Sequence, residues 1–113
     1  MSGAAKIPPT VAHSLSERDF QRQVVELARR VGFSVYHTHD SRRSEPGFPD
    51  LLCARAGRLL VAELKTEKGR LTGSQRAWLQ TLEQAGVETH VWRPSMWPEI
   101  VEVLTYRHGA AAT

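Results

Sequence analysis

The chain has little cysteine and no long apolar run. Among its 113 residues there is one cysteine, Cys53, which excludes an internal disulfide and fits a reducing compartment such as the cytoplasm. No stretch approaches the roughly 20 consecutive apolar residues that a membrane-spanning helix needs. Residues 1–10 carry a single lysine, Lys6, with no apolar run behind it. We therefore expect neither a membrane span nor a secretory signal.

The chain also has no large excess of positive or negative charge. The net charge is +3, with 24% charged and 41% hydrophobic residues, which is ordinary for a globular protein. The slightly basic balance suits an anionic partner such as nucleic acid but does not by itself indicate one. The length allows one domain, and composition predicts a flexible tail at 1–13, a folded domain at 14–106 and a second tail at 107–113.

Periodicity and capping signals predict seven elements within that domain. Ser16 is a candidate N-cap for a first helix that ends at Gly32, and Thr72 with Gln75 forms a capping box for a second helix that ends at Gly86. Strands are predicted at 33–39, 49–54, 58–65 and 88–93, and a last helix at 95–104. The order α-β-β-β-α-β-α predicts an α/β domain, with a small central sheet flanked by helices.

Two acidic residues and a lysine fall where the second and third strands form a hairpin. Pro49 lacks a ladder donor and belongs at a strand start, which puts Asp50 at the open end of the hairpin. If the Ala56-Gly57 turn pairs the strands closely, Glu63 lies beside Asp50, and Lys65 projects from the same face as Glu63. The sequence thus predicts two carboxylates and an amine at one sheet edge.

This combination indicates a divalent cation and a phosphate substrate. Two adjacent carboxylates repel each other, and a cation removes that conflict. Mg²⁺ typically takes one or two carboxylates and fills its other positions with water and substrate phosphate. Asp50 and Glu63 are the predicted ligands, with the carbonyl of Leu64 as a further one. Lys65 would orient the attacking water or stabilise developing negative charge.

The motif resembles the PD-(D/E)XK nuclease superfamily. It consists of Pro49-Asp50, twelve intervening residues and Glu63-Leu64-Lys65. The wider pattern, which covers residues 16 to about 94, is similar to the VRR-NUC family. Besides the motif itself, it comprises Glu17, Gln21, Gly47, Phe48, Leu51, Gly69, Leu71, Thr72, Gln75, Trp78, Leu82 and Gly86.

The resemblance implies more than the residues alone. It implies a restriction-endonuclease-like fold with a mixed sheet and hydrolysis of DNA phosphodiesters that leaves a 5′-phosphate. It also implies Mg²⁺ or Mn²⁺ as cofactor and no small-molecule cofactor. VRR-NUC domains occur as stand-alone phage nucleases and in larger DNA-repair proteins. Stand-alone phage-type members form homodimers and cut branched DNA such as Holliday junctions. We therefore expect a cytoplasmic enzyme, in the host cytoplasm if phage-encoded.

Three polar residues have a functional and a structural interpretation. Glu17 and Gln21 share a helix face next to the apolar stripe, so Glu17 is predicted near the metal, with Gln21 supporting it. Alternatively, Glu17 is only a favourable carboxylate in the first helical turn. The capping box accounts for Gln75 locally, whereas the resemblance implies that Gln75 also faces the active site.

Basic residues near the motif are candidates for contact with DNA. They are His37, Arg42, Arg43, Lys68 and Arg70. A charged loop is usually just solvated, which is the alternative for Lys68 and Arg70. His37 and His39 could suit a zinc ion by spacing, but no second pair of ligands accompanies them.

The remaining distinctive side chains are expected to be structural. Cys53 is predicted to be a small buried apolar residue. Trp78, Trp92 and Trp97 are predicted in the core or in a dimer interface.

The preferred function is a metal-dependent DNA endonuclease. It has two alternatives. One is a DNA-binding module with a nuclease-like fold and no turnover, and the other is an unrelated α/β interaction protein in which the acidic pairing is accidental.

Overall fold

A computed structural model describes residues 15–38 and 45–106. The predicted tails, together with His39, Arg42 and Arg43, lie outside the described residues. Seven elements follow in the predicted order: α1 (Glu17–Arg30), β1 (Ser34–His37), β2 (Leu51–Arg55), β3 (Arg58–Leu64), α2 (Gly73–Gln84), β4 (Glu88–Trp92) and α3 (Trp97–Thr105). A short 3₁₀ turn, Pro94–Met96, leads into α3.

The strands form one mixed sheet in the order β1-β2-β3-β4. β1 pairs antiparallel with β2, and β2 pairs antiparallel with β3. β3 pairs parallel with β4, because α2 carries the chain back between them. The predicted α/β architecture is therefore confirmed, although β1 and β3 are shorter than predicted.

One face of the sheet carries the hydrophobic core. Alternate residues of β3 (Leu60, Ala62 and Leu64) pack with apolar residues of α1 and α3 and with Trp92. Ser16 caps α1 as predicted, its hydroxyl accepting from the Asp19 amide. Cys53 and Trp97 are core residues too, as the sequence predicted.

The second helix, α2, differs from the sequence-based expectation. No residue of α2 is buried. Trp78, which was predicted in the core or in a dimer interface, is half-buried, as is Leu82, and Ala85 is exposed just after the last helical turn. The capping box of Thr72 and Gln75 is formed as predicted. Local sequence therefore set where this helix begins, but tertiary packing left its apolar side only partly covered.

None of the helices in the described part of the chain is long and apolar enough to cross a bilayer.

Candidate active site

The open end of the β2–β3 hairpin brings Asp50 and Glu63 together. Leu51 is paired with Ala62, so the next step of the antiparallel register sets Asp50 opposite Glu63. The backbone of Asp50 is anchored on its other side, where its carbonyl accepts from the Thr38 amide at 2.8 Å. The predicted geometry of the acidic pair is thus what the strand register produces.

Asp50 is oriented by the strand that carries Glu63. Its Oδ2 accepts a hydrogen bond from the amide of Leu64 at 2.8 Å, which turns the carboxylate towards the end of β3. Burial raises the pKa of Asp50, although the Leu64 amide, Glu63 and Lys65 partly oppose that shift. Asp50 is therefore held in one position rather than left as a solvated turn residue.

Glu63 is almost fully buried, with 1% of its residue surface exposed, and no other charged residue in the described part of the chain is as deeply buried. Burial, followed by the charge of Asp50, raises its pKa to about 8, and Lys65 opposes this. Among the described residues, its Oε1 has no hydrogen-bond partner. A buried carboxylate oxygen without a donor is costly, so this position is unfavourable for folding taken alone.

Lys65 lies beside this pair. Its Nζ is 3.7 Å from Oε2 of Glu63, and its side chain is 12% exposed. The strand assignment ends at Leu64, yet the Lys65 amide still donates to the carbonyl of Trp92 at 2.9 Å, which fixes the backbone from which the ammonium projects. The predicted trio of two carboxylates and an amine is therefore assembled.

Glu17 reaches the edge of the same cluster from the start of α1. Burial raises its pKa, the charge of Asp50 raises it further, and Lys65 lowers it. Glu17 also raises the pKa of Glu63, so the three carboxylates interact electrostatically. Glu17 remains exposed, however, and it lies at the rim of the cluster. Gln21, one turn further along α1, is half-buried.

The loop that precedes Asp50 is fixed against the first turn of α2. Gly47 has φ +97°, and a Cβ there would lie 2.6 Å from the backbone carbon and oxygen of Ser74. The ring of Phe48 meets that of Trp78 edge-on, with centroids 5.2 Å apart. Position 47 therefore requires a glycine, both for its positive φ and for the close approach of its Cα to the backbone of Ser74. The sequence marked Gly47 and Phe48 only as parts of a family pattern.

Arg93, which the sequence did not single out, holds the loop that follows Lys65. Its Nη1 donates to the carbonyls of Thr66 at 2.6 Å and Gly69 at 2.7 Å. Glu67 accepts from the amide of Ser95 at 2.6 Å, which ties the same loop to the chain after β4. The only available signal was an arginine at the end of a strand, which is too common to indicate this role.

The other predicted site residues are distributed around this centre. The amide oxygen of Gln75 accepts from the Thr72 amide at 2.9 Å, so the capping interpretation is realised. Lys68 and Arg70 are exposed in the loop after Lys65, and His37 is half-buried at the end of β1.

The donor set at the centre fits a divalent cation with few protein ligands. Among residues 15–38 and 45–106, no three His, Cys, Asp or Glu side chains are arranged to hold an ion together. Two carboxylates remain, one of which has a buried oxygen without a donor. That number lies within the one or two carboxylates that Mg²⁺ commonly takes.

Comparison with known families gives one match. The chain matches the model of the VRR-NUC domain over residues 6–96. A search of curated proteins gave no match, and neither did a search of solved structures.

Proposed function

The chain belongs to the VRR-NUC domain family of PD-(D/E)XK-type nucleases, and from this premise we propose that it is a Mg²⁺- or Mn²⁺-dependent DNA endonuclease with Asp50, Glu63 and Lys65 at its centre. One observation supports the proposal most strongly. A buried carboxylate oxygen of Glu63 receives no hydrogen bond from the described residues, and a second carboxylate lies beside it. Folding alone does not favour such an atom, whereas a bound cation would satisfy it.

Each central residue has a part that its contacts suggest. Asp50, oriented by the Leu64 amide, and Glu63 would hold the cation together with the carbonyl of Leu64. The bound ion would lower the pKa of a coordinated water and offset negative charge on the phosphate. Lys65 Nζ, close to Glu63, would orient the attacking water and stabilise charge that develops on the phosphate oxygens.

Eight further residues are proposed in supporting parts. Glu17 would complete the acidic site, directly or through water, with Gln21 positioning it. Gln75 would face the substrate through its side-chain NH₂ group, because its oxygen is used in the capping box. Lys68, in the exposed loop that Arg93 holds, would contact the DNA backbone together with His37, Arg70, Arg42 and Arg43.

A homodimer acting on branched DNA in the cytoplasm is the finer form of the proposal. Each chain offers one such centre, and cutting two strands is easiest for a symmetric pair. The half-covered α2 and the exposed side chains of Tyr36 and Leu59 offer apolar surface that a second copy could cover.

The decisive experiment compares cleavage by the wild type and by Asp50→Asn. Labelled duplex, flap, splayed and four-way DNA would be incubated with Mg²⁺ or Mn²⁺, and the product ends would be analysed for a 5′-phosphate. We expect the variant to lose about 10³-fold in rate, because roughly 4 kcal/mol of transition-state stabilisation depends on that carboxylate.

Glu83→Gln on the exposed side of α2 serves as the control and should cleave like the wild type. Equal rates for Asp50→Asn and the wild type would reject the proposed site. Failure of the wild type on every substrate, with DNA binding retained, would favour the module without turnover.

A further inference from the structure

A groove runs along one side of α1, next to the active site. Its volume is about 390 Å³, and the side chains that line it include three arginines of α1 (Arg18, Arg22 and Arg29) and His37 of β1. The arginines recur at intervals of four and seven residues, which places them on one side of the helix. Arg18 and Arg29 span eleven residues, or about 16 Å of helix.

Two of the residues that line this groove are close in the chain or in the sheet to the acidic centre. Gln21, which lines the groove, lies one helical turn after Glu17. His37 pairs with Leu51, and the following residue, Thr38, binds the carbonyl of Asp50. A chain-like ligand that lies in the groove can therefore extend from the side of Gln21 and His37 towards the acidic centre.

The arginines of the groove differ from the arginines that the fold uses. Arg55, Arg58 and Arg93 donate to backbone carbonyls. Within residues 15–38 and 45–106, Arg18 and Arg29 make neither a hydrogen bond nor an ion pair with the protein, and both are exposed. Their guanidinium groups have no structural task in the described part of the chain.

Charge in the groove favours an anion. Three arginines line it, against the single carboxylate of Glu26. Arg22 is paired with Asp19, which leaves Arg18 and Arg29 as the available cations at either end. Guanidinium groups bind phosphate oxygens through paired N–H donors, and two of them about 16 Å apart along one helix suit phosphates of one strand that are several nucleotides apart.

We propose that the α1 groove binds the phosphate backbone of the DNA strand that enters the active site, with Arg18 and Arg29 as its main contacts. This rests on the proposed nuclease function for the identity of the ligand. The contacts involve phosphate and not bases, so they position the strand without reading its sequence.

The test uses Arg18→Ala and Arg29→Ala, with Arg30→Ala as the matched control. Arg30 is the next residue of α1, is equally exposed, and does not line the groove. Binding of a labelled DNA duplex would be measured in EDTA at several salt concentrations. Each groove variant should lose about fivefold in affinity, and the slope of log K against log salt should fall by about 0.9 for each lost phosphate contact.

Cleavage kinetics in Mg²⁺ separate this proposal from the proposed function. The groove variants should raise KM and leave kcat unchanged, because uniform binding and not chemistry is lost. Groove variants that match Arg30→Ala in affinity and salt slope would overturn the groove, even if the wild type cleaves DNA. A wild type that cleaves nothing, with affinity still lost in the groove variants, would support the groove and reject the nuclease activity.

Discussion

A charged side chain is buried at each end of β3, and the two side chains differ in the contacts that they make. Arg58 begins the strand with its side chain 7% exposed, and Glu63 lies near the strand's other end with its side chain 2% exposed. Both face the cost of leaving water. Their contacts show which buried charge is fully paired by the described residues and which one is not.

At the turn end of β3, the guanidinium group of Arg58 is held by several acceptors. Arg58 forms a two-pronged ion pair with Glu88, with Nε to Oε1 at 3.0 Å and Nη2 to Oε2 at 2.7 Å. Its Nη1 donates to the carbonyl of Val103 at 2.7 Å, near the end of α3. His90 lies 2.6 Å from the same carboxylate. Arg58 thereby joins the hairpin, β4 and the last helix.

At the open end, the charge is not compensated by the described residues. Glu63 has one buried oxygen without a donor and a second carboxylate beside it, and its nearest cation, Lys65, is 3.7 Å away. Proteins tend to keep such unfavourable arrangements where function needs them. The difference teaches that, on this strand, the incomplete contacts lie at the candidate site and the complete ones belong to the scaffold.

The largest effect on stability is expected from breaking the satisfied end with Arg58→Ala. This change removes the arginine partner of Glu88, leaves it only His90, and takes away the donor of the Val103 carbonyl. Breaking a buried ion pair costs about 3–5 kcal/mol, and we expect about 3, because a third of the Glu88 side chain stays in water. Urea unfolding measures the loss. Arg76→Ala on exposed α2 should change stability by less than about 0.5 kcal/mol, and equal losses in the two variants would contradict the role of Arg58.

A smaller effect of opposite sign is expected at the open end from Glu63→Gln. In EDTA at pH 9, the variant should be more stable than the wild type by about 1–2 kcal/mol, because one of two facing negative charges is gone. Mg²⁺ should raise the Tm of the wild type but not that of the variant. Glu83→Gln is the control for a charge lost at the surface. A variant that is destabilised, or that responds to Mg²⁺ like the wild type, would mean that the carboxylate pair is not a cation site.

The smallest effect concerns pH at the satisfied end. Burial alone would raise the pKa of Glu88, but hydrogen bonds from Arg58 and His90 outweigh burial and hold that pKa below its ordinary value. A lowered pKa contributes stability above pH 4.5, and this contribution is lost as the pH falls below that value. Between pH 5 and 3, Glu88→Gln should therefore lose less stability than the wild type. Urea unfolding across this range measures both slopes, and identical slopes would show that the Glu88 contacts carry no such linkage.

Much of the fold followed from signals confined to a few neighbouring residues. Ser16 and the Thr72–Gln75 box placed the starts of two helices, because a cap acts within one turn. Alternation along β3 assigned its two faces, and the short turn after Arg55 fixed the register that sets Asp50 against Glu63. The same local reasoning failed for α2, because burial of its apolar side depends on what the rest of the chain places against it.

Some residues of the candidate site could likewise be predicted from local sequence, and others could not. Asp50, Glu63 and Lys65 were accessible to sequence reasoning because one hairpin brings them together. Arg93 was not, because its contacts with the loop after Lys65 cross 24 to 27 residues. The groove of Arg18 and Arg29 was hidden as well, since the same arginines on an isolated helix would be an ordinary solvated face.

The sequence by itself determined the element order, the two capped helices and the acidic hairpin, because these depend on propensity, periodicity and short-range geometry. Only the tertiary structure decided which arginines bind carbonyls and which remain exposed, how tightly Gly47 meets α2, and that a buried oxygen of Glu63 receives no hydrogen bond from the described part of the chain. Those outcomes depend on distances between segments far apart in the chain, which no local pattern encodes.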